Sequence, residues 1–196
     1  MRKALAPIAL LAAAAPALLA HPGHDGTGFT AGVAHPLLGL DHLLAMVAVG
    51  LMAVRCAGAP DGDRRALWQV PAAFLAAMGL GGLLAVAGVP LPGAEWGIAL
   101  SVLVFGVMVA LANAPRTGLA CAVAALFAVM HGHAHVAGMG GASVATYIGG
   151  FLLTTGLLHA GGVLGGWWLA QSPRQAVLRL AGAAVAVAGL GISLLG

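Results

Sequence analysis

Charge is scarce in this chain. Only 7% of its 196 residues are Asp, Glu, Lys or Arg, against about 25% in ordinary soluble domains, too few to coat a compact water-facing surface. Aromatic residues are also sparse, at 5%, so bulky rings do not fill the interior. Two cysteines, Cys56 and Cys121, make no disulfide scaffold. Both fall toward the expected cytoplasmic side, where a reducing compartment opposes a bridge, and both are read as small packing residues. The net charge of +3 sits beside apolar runs, where it fixes orientation; no nucleic-acid partner is expected. The chain has no H-E-x-x-H, nucleophile elbow or phosphate-binding loop, hence no signature of hydrolysis or ATP use, and it is not expected to be an enzyme.

What is abundant is apolar and small: 61% hydrophobic residues and 31 glycines. Uncharged runs reach the roughly 20 residues that cross a hydrocarbon core, and small residues let helices approach closely within it. Arg2 and Lys3, the apolar stretch 4–20 and the polar break His21-Pro22-Gly23-His24-Asp25 predict a signal peptide over 1–20. Residues 21–32 then form a periplasmic N-terminus whose His21 and His24 either hold a divalent ion weakly or serve as a polar spacer. Residues 33–196 are expected to be a six-helix transmembrane domain, with spans at 33–54, 67–89, 96–112, 118–139, 144–170 and 177–195. The fold class is therefore all-α: a polytopic membrane helix bundle of six transmembrane helices after an N-terminal signal peptide, since helices bond their own backbone in lipid. Arg55, Arg64, Arg65, Arg116, Arg174 and Arg179 all fall in the inner loops. That bias predicts an inner-membrane protein with both mature termini periplasmic. The pairs Gly81-Gly82, Gly149-Gly150, Gly161-Gly162 and Gly165-Gly166 are read as close-packing faces.

Several polar residues do not belong in lipid. The first span carries His35, Pro36, Asp41 and His42; an ionised Asp near mid-span costs about 2.5–3.5 kcal/mol and needs a partner or a pathway. On one continuous helix His35 and His42 lie on nearly the same face, about 10 Å apart along the axis, which suits successive positions on a path. Pro36 fits the first turn of that helix. In the fourth span His131 and His135 share a face while His133 points nearly the opposite way. Counted from the outer surface, Asp41, His42 and His131 fall at one depth, with His35 and His135 together at a shallower one. The layout predicts two stacked layers converging on a cavity that opens outward. His159, below Thr154 and Thr155 in the fifth span, is either the next station inward or a hydrogen-bonding tie between helices. Glu95 guards the outer start of the third span or is a solvated loop charge; Met46 is expected to pack. Imidazole with one carboxylate suits Ni²⁺, Co²⁺ or Zn²⁺ as a transported ion, with no prosthetic group.

At these residues the sequence resembles the HupE/UreJ family, membrane proteins associated with hydrogenase and urease maturation and regarded as nickel permeases. His35, Asp41 and His42 match the family's H-x5-D-H signature in full. Residues 130–138 keep both histidines of the second signature, F-H-G-x-[AV]-H-G-x-E, as His131 and His135, but place Met130 for Phe, Val136 for Gly and Gly138 for Glu. Gly150, Phe151, Thr155, Leu158 and His159 look like the fifth-span pattern. The resemblance implies a secondary permease carrying Ni²⁺, with Co²⁺ as the second ion, from periplasm to cytoplasm, linked indirectly to hydrogenase or urease maturation proteins. The missing Glu leaves Asp41 as the sole carboxylate inside the expected spans, with His133 or Glu95 as possible compensation. Two other functions use the same ligands: a haem-bearing electron carrier with His42 and His131 as axial ligands, and a metal sensor or chaperone that does not translocate.

Overall fold

In the computed structural model the described residues are 28–137, 143–171 and 176–195. The expected signal peptide, His21, His24, Gly138 and Arg174 lie outside them. Among those residues the chain forms seven helices in order: α1 (Phe29–Leu38), α2 (Leu40–Ala57), α3 (Ala66–Val86), α4 (Ala94–Ala110), α5 (Thr117–Ala137), α6 (Val144–Ala170) and α7 (Ala176–Leu195). No strand occurs among the described residues. By length and composition α2, α3, α5, α6 and α7 are long and apolar enough to cross a membrane. The 17 residues of α4 span about 26 Å, a little less than the roughly 30 Å hydrocarbon core, and this helix decides between five crossings and six.

The outward surface is apolar. Leu164, Trp168, Val187 and Leu194 are 71–76% exposed, an arrangement that water would penalise and acyl chains would not. This is a polytopic membrane helix bundle. At its centre stands α2, buried over 61% of its length, whereas α7 buries only 17% of its most apolar window. Glycines set the close crossings. A side chain at Gly50 would run into the His159 carbonyl, and one at Gly162 into that of Val47, so α2 and α6 meet backbone to backbone. Gly32 and Gly150 do the same for α1 and α6, Gly81 and Gly132 for α3 and α5, and Gly106 and Gly189 for α4 and α7. Of the paired glycines, Gly81, Gly82, Gly150, Gly162 and Gly166 face neighbouring helices while Gly149, Gly161 and Gly165 face open space.

The first span is not one helix over 33–54. Helix α1 begins at Phe29, and Pro36 therefore falls near its end instead of in its first turn. Proline lacks the N–H that would bond the Gly32 carbonyl and disfavours continued helix packing. Two residues later the helix stops, Gly39 is extended (φ −93°, ψ 120°), and α2 starts afresh at Leu40. At the far end of α2, Arg55 Nη2 donates to the Leu111 and Ala112 carbonyls at 2.6 and 3.3 Å, and Arg179 Nε donates to Ala110 at 3.1 Å. These carbonyls close α4 and have no intrahelical donor. The Arg64 guanidinium lies 5.4 Å from the Trp167 ring centroid near the end of α6. Arginines thus gather at one end of the bundle, with His42 at the opposite end of α2.

Candidate metal centre

The break at Gly39 creates a helix N-terminus beside the histidines. Asp41 sits in the first turn of α2, where an acid gains about 0.3–1 kcal/mol from the helix dipole. Its Oδ1 accepts from the His42 backbone N–H at 2.8 Å and from His42 Nδ1–H at 2.7 Å. With its side chain 29% exposed, Asp41 is partly accessible at the start of α2 instead of sitting deep in a continuous span. A Cβ at Gly39 would approach Asp41 Oδ1 at 2.8 Å and His42 Nδ1 at 2.9 Å, so a larger residue there would displace this side-chain pair. The break also shortens the histidine spacing: the ring centroids of His35 and His42 are 6.0 Å apart, well under the separation expected on one straight helix.

From α5, His131 and His135 reach into the same region. His135 lies 4.3 Å from His42 and 4.5 Å from His35, centroid to centroid, and His131 lies 5.2 Å from His42. The rings are not sorted into two separate layers: His135, expected at the shallower level with His35, is as close to His42 as to His35 and joins the two. The hydrogen bonds assign the tautomers. His131 Nδ1–H donates to the Phe127 carbonyl at 3.0 Å, leaving a fully buried Nε2 with no partner among the described residues. His42, donating through Nδ1, presents its Nε2 lone pair to His135 Nε2–H at 2.5 Å. Asp41, His42 and His135 therefore form a relay of carboxylate, imidazole and imidazole, the kind of outer partner that orients a metal-binding nitrogen.

His133 turns the other way. Its Nε2–H donates to the Val89 carbonyl at 2.7 Å. That carbonyl is presented by the turn ending α3, where Gly88 (φ 73°) and Val89 bond back to Ala85 and Leu84 at 3.0 Å each, satisfying the last helix carbonyls. Glu95 is exposed in the first turn of α4 and makes no hydrogen bond or ion pair among the described residues. His159 is buried on α6, its ring 5.0 Å from Phe74, which in turn lies 5.5 Å from His131. Among the described residues no three His, Cys, Asp or Glu side chains form a ready coordination shell. The outer rings converge, but edge to face and in mutual contact rather than around an open cavity. Met46 is fully buried in the core. Cys56 and Cys121 are free thiols and take no part in the imidazole run.

The model of the HupE / UreJ protein family matches residues 8–192. The curated Protein HupE of Rhizobium leguminosarum bv. viciae is 42% identical over 171 residues, covering 87% of this chain and 86% of that protein. The chain belongs to the HupE/UreJ family. No solved structure matches it.

In this HupE/UreJ chain the aromatic lining is the part that reasoning from polar residues missed. Phe151 stands 4.5 Å from His135 and 6.1 Å from His35, stacked on Tyr147, which itself lies 6.2 Å from His35. Phe74 bridges His131 and His159 and continues to Phe105 and Phe127. Phe151 was marked in the sequence by its place in the fifth-span pattern. Nothing local distinguishes Phe74 from any core phenylalanine.

Proposed function

We propose that this HupE/UreJ chain is a secondary permease that accepts Ni²⁺, with Co²⁺ as the second candidate, at the periplasmic face and releases it to the cytoplasm for hydrogenase or urease maturation. What carries this reading is the run of four imidazoles from α1, α2 and α5, backed by Asp41 and ending in the unpartnered Nε2 of buried His131. Neutral imidazole nitrogens beside one carboxylate suit borderline divalent cations, and no thiol joins the run as a copper(I) path would require. The Nδ1 bonds of His42 and His131 hold each Nε2 lone pair in place. A cation engaging His42 displaces the His135 N–H from it, the rings part, and the ion passes from ring to ring without a tight resting place. A membrane potential acts on both of its charges, about 4.6 kcal/mol per 100 mV. The arginine-rich end supports a cytoplasmic assignment for that side, and α4 then makes the sixth crossing.

Radiolabelled metal uptake into proteoliposomes tests this directly. Saturable Ni²⁺ uptake exceeding that of Zn²⁺, lost in His42→Ala, is the expected result; uptake no faster than into protein-free vesicles rejects it. Weighing against a haem carrier is the direct contact of the His42, His131 and His135 rings, which leaves no slot between them for a macrocycle. A Soret band in the purified protein would reverse that judgement.

A further inference from the structure

Below the outer imidazole run, two buried polar side chains on α6 have no hydrogen-bond partner among the described residues. His159 is 1% exposed and Thr155 is 0%; both ring nitrogens of His159 and the hydroxyl of Thr155 lack any hydrogen-bond partner. Native interiors rarely leave one buried polar group dry, and here three such atoms lie four residues apart on one face of α6. Neighbouring hydroxyls show what a structural role looks like. Thr154 Oγ1 donates to the Val33 carbonyl at 3.0 Å, and Ser101 Oγ to the Ile98 carbonyl at 2.6 Å. Thr155 makes no such bond, although a helical threonine can usually reach back to its own backbone.

The surroundings come from α2 and α3. Gly50 lies against the His159 carbonyl at the α2–α6 crossing, and eight residues of α2 place that crossing about 12 Å deeper than His42. From α3, Leu75 approaches Gly156, and the Phe74 ring touches both His159 and His131. The last atom of the outer run, His131 Nε2, is unpartnered as well. Phe74 is thus the ring through which the outer and inner polar groups meet.

We propose that His159 and Thr155 form a second, inner cation station for a borderline divalent ion, supplying one imidazole nitrogen and one hydroxyl oxygen while water completes the shell. Phe74 stands between this station and the outer run. The proposal rests on the permease reading and adds a defined stop on the path. It also explains why polar atoms are kept unpaired at a depth where a valine and a phenylalanine would pack at less cost.

Equilibrium dialysis of the purified full-length protein against Ni²⁺ alone provides the test. His159→Gln is expected to bind one equivalent fewer than the unmodified protein and to transport at least about tenfold more slowly, with the equivalent sensitive to His42→Ala retained. Thr155→Val, nearly isosteric, is expected to weaken that same inner equivalent, and carries the test if His159→Gln does not fold. Unchanged stoichiometry and uptake in Thr155→Val and in any folded His159→Gln overturn the station and leave a structural histidine or a water site only. Failure of the permease reading looks different: the unmodified protein neither binds nor transports Ni²⁺, and His42→Ala changes nothing.

Discussion

Replacing Asp41 by Asn isolates the contribution of one negative charge. The amide keeps an oxygen where Oδ1 accepts the His42 backbone and Nδ1 protons at 2.8 and 2.7 Å, so the fold around Gly39 should persist. What disappears is the charge that makes these bonds strong: a hydrogen bond to an ionised group contributes about 1.5–3 kcal/mol, against about 0.5–1.5 for a neutral one. The ring bond alone therefore loses about 1–1.5 kcal/mol of its hold on the tautomer that exposes Nε2. Loss of an outer partner of a metal-binding histidine commonly weakens metal affinity 10–100-fold, or about 1.4–2.7 kcal/mol, which overlaps the upper end of that estimate. Titration calorimetry of Ni²⁺ into detergent-purified protein, paired with initial uptake rates in proteoliposomes, is the appropriate assay. Asp41→Asn should raise Kd by at least about tenfold, and His42→Ala should remove the site altogether. Equal losses in the two variants would mean that Asp41 binds the ion itself. Unchanged affinity in Asp41→Asn would refute the charge argument entirely.

Three other outcomes follow from the geometry. His131→Ala should impair uptake far more than His133→Ala, because His133 spends its Nε2 on the Val89 carbonyl; the reverse order in an uptake assay would undo the facial assignment. Gly162→Ala should destabilise the protein by about 1–3 kcal/mol, since its Cβ meets the Val47 carbonyl, while Gly161→Ala, with nothing within 4 Å, should be neutral; thermal unfolding in detergent distinguishes them. A reporter fused after the C-terminus should be active in the periplasm, and cytoplasmic activity would show that α4 does not make a sixth crossing.

The bundle was legible because lipid demands long uninterrupted apolar runs; the glycine pairs were only half legible, since adjacent helix positions lie about 100° apart and Gly149, Gly161 and Gly165 face open space. The facial opposition of His131 and His133 was equally legible, since four residues return to one side of a helix and two do not. The break after Pro36 was harder to read. A proline in the first turn is harmless and one near the end stops a helix, and only the true start at Phe29 decides which case applies. The helix that starts there docks onto α6 at Gly32 and Gly150, a contact between segments far apart in the chain. The same limit hid Phe74. Its importance comes from touching His131 and His159 on two other helices, and no spacing within α3 encodes that.

The contact between the rings bears on how such a site can move ions instead of storing them. A preformed shell of lone pairs pointing at one centre would be starved of partners when empty and would bind its ion tightly. Here the His135 N–H meets the His42 lone pair, and on the proposed path regaining that bond, worth about 0.5–1.5 kcal/mol net, would offset part of the loss when the ion departs. Charge acts in the same direction. A second carboxylate about 4 Å from a dication would deepen the well by roughly 8 kcal/mol at an effective dielectric constant near 20, an upper figure that solvation reduces but does not abolish. Asp41 is the only carboxylate touching the imidazole run among the described residues, and the family's second-signature Glu is Gly138 here. On the proposed path, fewer charges and self-satisfied rings would both make the well shallow, and a shallow well favours release.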